Sequence, residues 1–382
     1  MKVLGMISGT SVDAIDVAVA DFAADGDTLL MTPLKHGEVP WPDTLRDELL
    51  GALSPATSGV ETWCRLDTEV GRALGAACAP LAQKYGVDLI SSHGQPLFHW
   101  ADGATARGTL QVGNPAWIHA ATGVPVISDL RTADIAAGGH GAPLASTLDA
   151  LWLADVPTVA LNLGGIANIT VVAPGQPPIS GDTGPASALL DAAAVAHDGR
   201  PADLDGALAL AGTVDSAALD LLLADPFYAL PLPKSSGREY FHSAYVAERL
   251  AGRDLTGPDL FATLTELTAR TVADAVGAYP EVERVVASGG GMRNPALVAR
   301  LHDLLPVPLL TTDELGLASD AKEAYLFALL GFLSAHGLPG TISGATGAHA
   351  PVVLGSLTPP VGLISSASKP VTWLRVVTQE DR

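Results

Sequence analysis

Cysteine is scarce: Cys64 and Cys78 are the only two in 382 residues. They share one helix-like segment, and no Cys-x-x-Cys pair exists, so a disulfide scaffold and a zinc ribbon are both excluded. Two buried small residues in a reducing cytoplasm are the expectation. Basic residues are also few, 21 against 41 acidic, for a formal net charge of -20. Such a chain repels nucleic acid and anionic membranes, and neither is expected as a partner. A phosphate ligand stays open, because a magnesium ion and backbone N–H groups offset the global field locally. Long apolar runs are missing too. A bilayer span needs roughly 18 such residues. AYLFALLGFLSA, residues 324–335, stops at 12 and reads as a buried helix. The start, MKVLGMISGT, carries no signal-peptide apolar region, which fits a cytoplasmic protein.

What is present is core material: 48% of the residues are hydrophobic. At roughly 100–200 residues per domain, the length fits two domains. Residues 3–8, 15–22 and 28–34 read as an antiparallel meander. In residues 60–81, Val60, Trp63, Leu66, Val70, Leu74, Ala77 and Leu81 fall at spacings of three and four, one face of a long helix. Residues 88–92 read as a buried strand, 93–99 as a polar loop and 124–130 as a strand. At residue 159 the opening pattern repeats: strand 159–163, turn Gly164-Gly165, strand 167–172. That suggests an internal duplication. Helices are expected at 186–196, 213–224, 244–251, 260–278, 294–304 and 321–335, with a strand at 285–287. Residues 340–378 read as loop with a short strand near 373–377. Strands alternating with helices give an α/β protein. Two domains are expected, residues 1–127 and 128–382, with the final helix and tail packing back on the first.

Six constellations could carry chemistry. Gly9-Thr10-Ser11 with Asp13 and Asp16 is either a phosphate loop with a magnesium carboxylate or an ordinary hairpin turn. No lysine follows the glycine, so it is not a Walker loop. Gly164-Gly165, and Gly289-Gly290-Gly291 between a strand and a helix, suit close backbone approach to a nucleotide or are plain turns. Asp182, between Gly181 and Gly184, is a fixed general base or a helix cap. His93, Gln95 and His99 suit sugar hydroxyls better than a metal, for which no third ligand is near. Lys234-Ser235-Ser236 is a solvated loop or a cation near phosphate.

Their order resembles the actin-like (RNase H-like) sugar-kinase superfamily, with ATP in the cleft between two domains. Closer still, the chain resembles the anhydro-N-acetylmuramic acid kinase family. The residues carrying this are SGTSVDAID (8–16), SHGQPLFH (92–99), TLQVGNP (109–115), SDLRTADIAAGGHGAPLA (128–145) and LNLGGIANIT (161–170). They continue in GDTGPA (181–186), PKSSGRE (233–239), ASGGGMRNPALVARL (287–301) and SDAKEAYLFALLG (319–331). The resemblance implies a kinase that opens the 1,6-anhydro ring of 1,6-anhydro-N-acetylmuramic acid with water. O6 is phosphorylated from ATP, giving N-acetylmuramic acid 6-phosphate in cell-wall recycling. It implies Asp182 as catalytic base. Gly9, Thr10, Ser11, Val12, Asp13, Ala14, Ile15 and Asp16 would hold ATP, with Asp13 on Mg2+. Gly164, Gly165, Asn168, Gly289 and Gly290 would complete the nucleotide site. Gln111, Asn114, Arg131 and Glu323 would meet the sugar, Arg131 at the lactyl carboxylate. A homodimer is expected on the same ground.

The chain departs from the family pattern in places. Ala14 replaces a common Gly, Ala186-Ser187 a common Gly-Asn, and Thr132-Ala133 residues that are often basic. Levoglucosan or another anhydro-hexose is therefore an alternative substrate. A non-catalytic nucleotide- or sugar-binding regulator, and a metal hydrolase built on His93 and His99, are alternatives of other classes.

Overall fold

The structure is a computed structural model that describes residues 1–53, 56–102, 105–237, 240–242, 244–359 and 372–377. In chain order it opens with strands β1 (Lys2–Ile7), β2 (Ala14–Asp25) and β3 (Thr28–Pro40). Helices α1 (Asp43–Ala52) and α2 (Val60–Tyr85) precede β4 (Leu89–Ser92), β5 (Gln95–Asp102) and β6 (Thr105–Val112). Then come α3 (Pro115–Thr122), β7 (Val126–Ser128), α4 (Thr132–Ala136) and α5 (Ala145–Trp152). A second run follows: β8 (Thr158–Leu163), β9 (Ile166–Val172), β10 (Ile179–Pro185) and α6 (Ser187–Asp198). It goes on through α7 (Ala207–Ala211), α8 (Ser216–Leu223), α9 (Tyr245–Arg249) and α10 (Gly257–Gly277). β11 (Arg284–Ser288), α11 (Pro295–Leu304) and β12 (Leu309–Thr311) close that run. The chain ends with α12 (Lys322–Ala335), α13 (Ser343–Thr346), β13 (Ser356–Thr358) and β14 (Trp373–Val376).

These elements pack as two units, one of Met1–Trp152 with Leu315–Arg382, the other of Leu153–Glu314. The first sheet runs β13-β7-β4-β1-β2-β3-β14, the second β10-β9-β8-β11-β12. Each contains the same five-strand plan. A three-strand antiparallel meander (β1–β3, β8–β10) comes first. Its first strand pairs in parallel with a later one (β4, β11), which pairs in parallel with the next (β7, β12). This is the duplication that the repeated strand–Gly turn–strand pattern suggests.

The first unit is built on β1, whose residues from Val3 to Ile7 are buried. Helix α12 crosses it at backbone contact. A Cβ on Gly5 would lie 2.0 Å from the Ala324 carbonyl oxygen and 2.3 Å from the Ala328 nitrogen. A Cβ on Gly331 of α12 would meet Ser91 of β4 at 2.4 Å. Beyond its first two residues helix α12 is apolar on nearly every side, which fits an element buried in a core. On the other side α2 buries Leu66, Val70, Leu74 and Cys78, and ends at Gly86 in the left-handed conformation, a glycine cap. Cores of the second unit gather round β8, β9 and β11 with α10, and round α8 and α10.

Several expectations are corrected. Residues 93–99 are mostly strand, not loop: β5 pairs with β6 in a separate two-stranded sheet. The strand expected over 124–130 is only Val126–Ser128. Asp182 lies in strand β10 rather than in a turn before a helix. Cys64 is exposed, and only Cys78 is buried. Residues 340–378 hold α13 and β13 besides the expected β14. Arg238 and Glu239 of PKSSGRE lie outside the described residues. Beyond residue 127, β7 and α5 pack within the first unit, so its contacts run on to Trp152.

Gly5→Ala forces α12 off β1 and is expected to cost about 3 kcal/mol or to prevent folding. Gly37→Ala, where an added Cβ meets nothing within 4 Å, is the matched control and stays near wild type. Urea midpoints for the two variants check this; equal midpoints contradict the contact.

Candidate active site

The turn between β1 and β2 holds the first set of residues. Val12 is fully buried in the core, and its φ of 52° is a costly conformation for a β-branched side chain. Burial of Val12 turns Thr10, Ser11 and Asp13 outward, where all three are exposed. The strain sits at Val12 rather than at Gly9, whose added Cβ would meet only Ser11 Oγ at 3.7 Å. Three side chains hold the turn. Gln95 Nε2 donates to the Gly9 carbonyl (3.0 Å), Arg46 Nε to the Val12 carbonyl (2.8 Å) and Trp41 Nε1 to Ser8 Oγ (3.1 Å). The result is a rigid loop presenting two hydroxyls and a carboxylate. Ala14 and Ile15 begin β2, with Ile15 in the core.

Carboxylates gather beside it. Asp16 lies opposite Glu38 in the β2–β3 register, and like charges directly opposite repel. Burial first, then the charges of Glu38, Asp13, Glu323 and Asp320, push the Asp16 carboxyl up to about 7. Glu38 and Asp320 were not singled out from the sequence; only the strand register brings Glu38 here.

Glu323, on the first turn of α12, keeps solvent access while protein packs closely around the rest of it. Desolvation raises its carboxyl, and Arg131 and Lys322 oppose this. Arg131 donates from Nε to His93 Nε2 (2.8 Å) and from Nη1 to the Gly141 carbonyl (2.6 Å). The Nε2 of His93 must then be an acceptor, which assigns the proton to Nδ1, 3.2 Å from the Gly94 carbonyl. Burial, and next the Arg131 charge, hold the His93 pKa well below its usual value, so the ring is neutral. Both ring nitrogens are engaged, which removes His93 as a metal ligand. Buried Asp134 accepts from the Gly141 N–H (2.7 Å) and Thr346 Oγ1 (2.7 Å), and so fixes the loop that faces Arg131.

A cavity of about 290 Å³ opens in the same unit, lined by Asp67, His93, Gln111, Asn114, Asp129 and Thr132 among others. Gln111 and Asn114 thus face one space, with Arg131 attached to it through His93. The Asn114 amide is largely committed. It caps α3 through the Ala116 N–H (3.1 Å) and donates to Asp67 Oδ2 (3.1 Å).

In the second unit, Asp182 is half-buried on β10. A bulge separates it from Gly184 and re-aims the strand there. The register lines up Asn162, Asn168 and Asp182 across three strands, which puts their side chains on one face. Ser236 donates to Asp182 Oδ2 from its backbone N–H (2.6 Å) and from Oγ (3.2 Å). The carbonyls of Gly164 and Gly165 accept from the N–H groups of Ser187, Ala186 and Ala188 at the start of α6. Gly289 (φ 94°) and Gly291 are demanded by packing: added Cβ atoms would meet Asn162 Oδ1 at 2.7 Å and Leu163 Cβ at 2.6 Å. Gly290 faces open space.

The two units thus share one five-strand sheet plan, and each carries a cluster of polar residues fixed by hydrogen bonds. A family profile described as anhydro-N-acetylmuramic acid kinase matches residues 1–360. A protein of that name from Streptomyces coelicolor is 50% identical, over 99% of both chains. One from Rhodococcus erythropolis is 51% identical over 94% of both, and one from Salinibacter ruber 39% over 94% and 96%. The chain belongs to the anhydro-N-acetylmuramic acid kinase family. Among solved structures, xylulose kinase from Rhodospirillum rubrum is similar at TM-score 0.43 and 16% identity, over 87% of this chain and 90% of that one.

With its pKa near 7 folded against 3.8 unfolded, Asp16 binds more protons in the native state between these values. Stability therefore falls as pH rises through that window. Asp16→Asn removes the repulsion and is expected to melt a few degrees higher than wild type at pH 8, with the gap closing by pH 4. Parallel melting curves at all pH values contradict the clustered charges.

Proposed function

We propose that this chain is the ATP-dependent kinase of 1,6-anhydro-N-acetylmuramic acid, acting in the cytoplasm. The observation that carries the reading is Asp182, the match to the family's catalytic base, held on a bulged strand by two donors to one oxygen. In this reading Asp182 accepts a proton from water as the water oxygen attacks the anomeric carbon. The bond from that carbon to the bridging oxygen breaks. The freed O6 takes the γ-phosphoryl group and ADP leaves, so the alkoxide charge is trapped as it forms. Catalysis then rests on positioning and charge stabilisation.

The N–H groups and hydroxyls of residues 9–16 are assigned to the ATP phosphates, and Gly164, Gly165 and Asn168 to the second phosphate side. Gly289 and Gly290 are assigned to the adenosine; open space at Gly290 suits that role. The crowded carboxylates beside the turn fit a divalent cation, since a nearby 2+ charge offsets the repulsion that adds to burial in raising the Asp16 carboxyl. Exposed Asp13 is the proposed magnesium contact. Bound there, the ion supplies charge neutralisation of the phosphates.

Arg131 is the proposed partner of the lactyl carboxylate. Its two hydrogen-bond acceptors, His93 Nε2 and the Gly141 carbonyl, are neutral, and the carboxylates of Glu323 and Asp134 act on it only through their charges. Glu323, Gln111 and Asn114 are assigned to the sugar. A lactyl-free sugar such as levoglucosan is the second reading, favoured by the absence of basic residues at Thr132 and Ala133.

Asp182→Asn is expected to lose about 10²–10⁴-fold in turnover while still binding ATP, measured by coupled ADP release and by calorimetry. Near-wild-type turnover would falsify the base assignment. Arg131→Ala should lose preference for the carboxylate-bearing sugar over levoglucosan in competition. An unchanged preference moves the reading to the second substrate.

A further inference from the structure

We propose that Ser236 and Lys234 are positioning residues for Asp182: residues 232–236 form a clamp that fixes the rotation of the base's carboxylate. This rests on Asp182 as the base. Both donors of Ser236 converge on one oxygen, Oδ2, at 2.6 and 3.2 Å. With the Asp182 backbone held in the sheet, one doubly bonded oxygen sets the plane of the carboxylate. The clamp is joined to the strand as well, because the Asp182 N–H donates to the Lys234 carbonyl (2.8 Å). Gly181 makes room for it: an added Cβ there would meet Leu232 Cδ2 at 2.6 Å and the Lys234 carbonyl oxygen at 2.8 Å.

The segment is anchored from below. Lys234 Nζ donates to the carbonyls of Phe227 (3.0 Å) and Tyr228 (3.1 Å), and lies 4.7 Å over the Phe227 ring. Phe227 donates its N–H to Asp225 (2.9 Å), which is 2% exposed. Asp225 also accepts from the hydroxyls of Tyr240 (2.7 Å) and Tyr245 (2.8 Å), and from Arg249. Exposure alternates along the clamp. Lys234 and Ser236 are half-buried and Ser235 is exposed, as in an extended segment laid on a sheet edge. A merely solvated loop would not spend a lysine on two carbonyls and a ring. Lys234 also feels the Asp182 charge, which opposes the fall in its pKa that burial causes.

The test is steady-state kinetics on Ser236→Ala, Ser236→Thr and Lys234→Met, with Asp182→Asn alongside. Losing one hydrogen bond to a charged group should lower kcat about tenfold in Ser236→Ala, with the KM for ATP within about twofold of wild type. Ser236→Thr, which keeps the hydroxyl, should recover most of kcat. Lys234→Met keeps the stem over Phe227 and should slow kcat too. Combined with Ser236→Ala it should be less than additive, because both act through one carboxylate. The clamp is overturned if Ser236→Ala matches wild type while Asp182→Asn is inactive. It is overturned also if Ser236→Thr is as slow as Ser236→Ala. Full activity in Asp182→Asn would instead overturn the assignment of the base itself.

Discussion

The backbone contact between α12 and β1 at Gly5 is the constraint on which the first unit depends. Three site features leave from elements that meet there. The end of β1 runs into the Thr10–Ser11 turn, β4 ends at Ser92 beside His93, and the first turn of α12 carries Glu323. Any side chain at Gly5 would move the helix and with it Glu323. A buried ion pair, Lys322 to Asp149 at 2.7 Å, ties the start of α12 to α5. Breaking one partner of such a pair leaves a buried charge uncompensated, which is costly. The two contacts together set where the first turn of α12 stands.

Elsewhere the molecule accepts local cost at the residues assigned to chemistry. Val12 holds an unfavourable φ, and Asp16 faces Glu38 across a strand pair. Backbone strain and like-charge repulsion of this kind cluster at sites that bind ligands.

Much of the fold was legible because the relevant signals are local. A short apolar run marked β1, alternation marked β2, and three-four spacing marked α2. The Gly164-Gly165 turn between two apolar runs marked the β8–β9 hairpin and, with it, the duplication, whereas the sequence of the third strand, β10, reads as a turn. The β5–β6 hairpin was missed, because Phe98, Trp100 and Leu110 are exposed and its pattern is not one of a buried face. Strand register is a non-local property, so Glu38 opposite Asp16 could not be read from residues 22 apart in the chain. The same limit hid the partners of Arg131 and the docking of Ser236 on Asp182, across 54 residues. Residue types announced the candidate aspartate; only the fold announced what holds it.

The central claim is that water opens the anhydro ring while the freed oxygen takes the phosphoryl group. The most direct test is a mass spectrum of the product formed from Mg-ATP and 1,6-anhydro-N-acetylmuramic acid in ¹⁸O-enriched water. The account predicts a gain of one phosphoryl group and one water, with the heavy oxygen on the anomeric carbon and none in the phosphate. Heavy oxygen found only in free phosphate, or unchanged sugar with ATP bound, would contradict it.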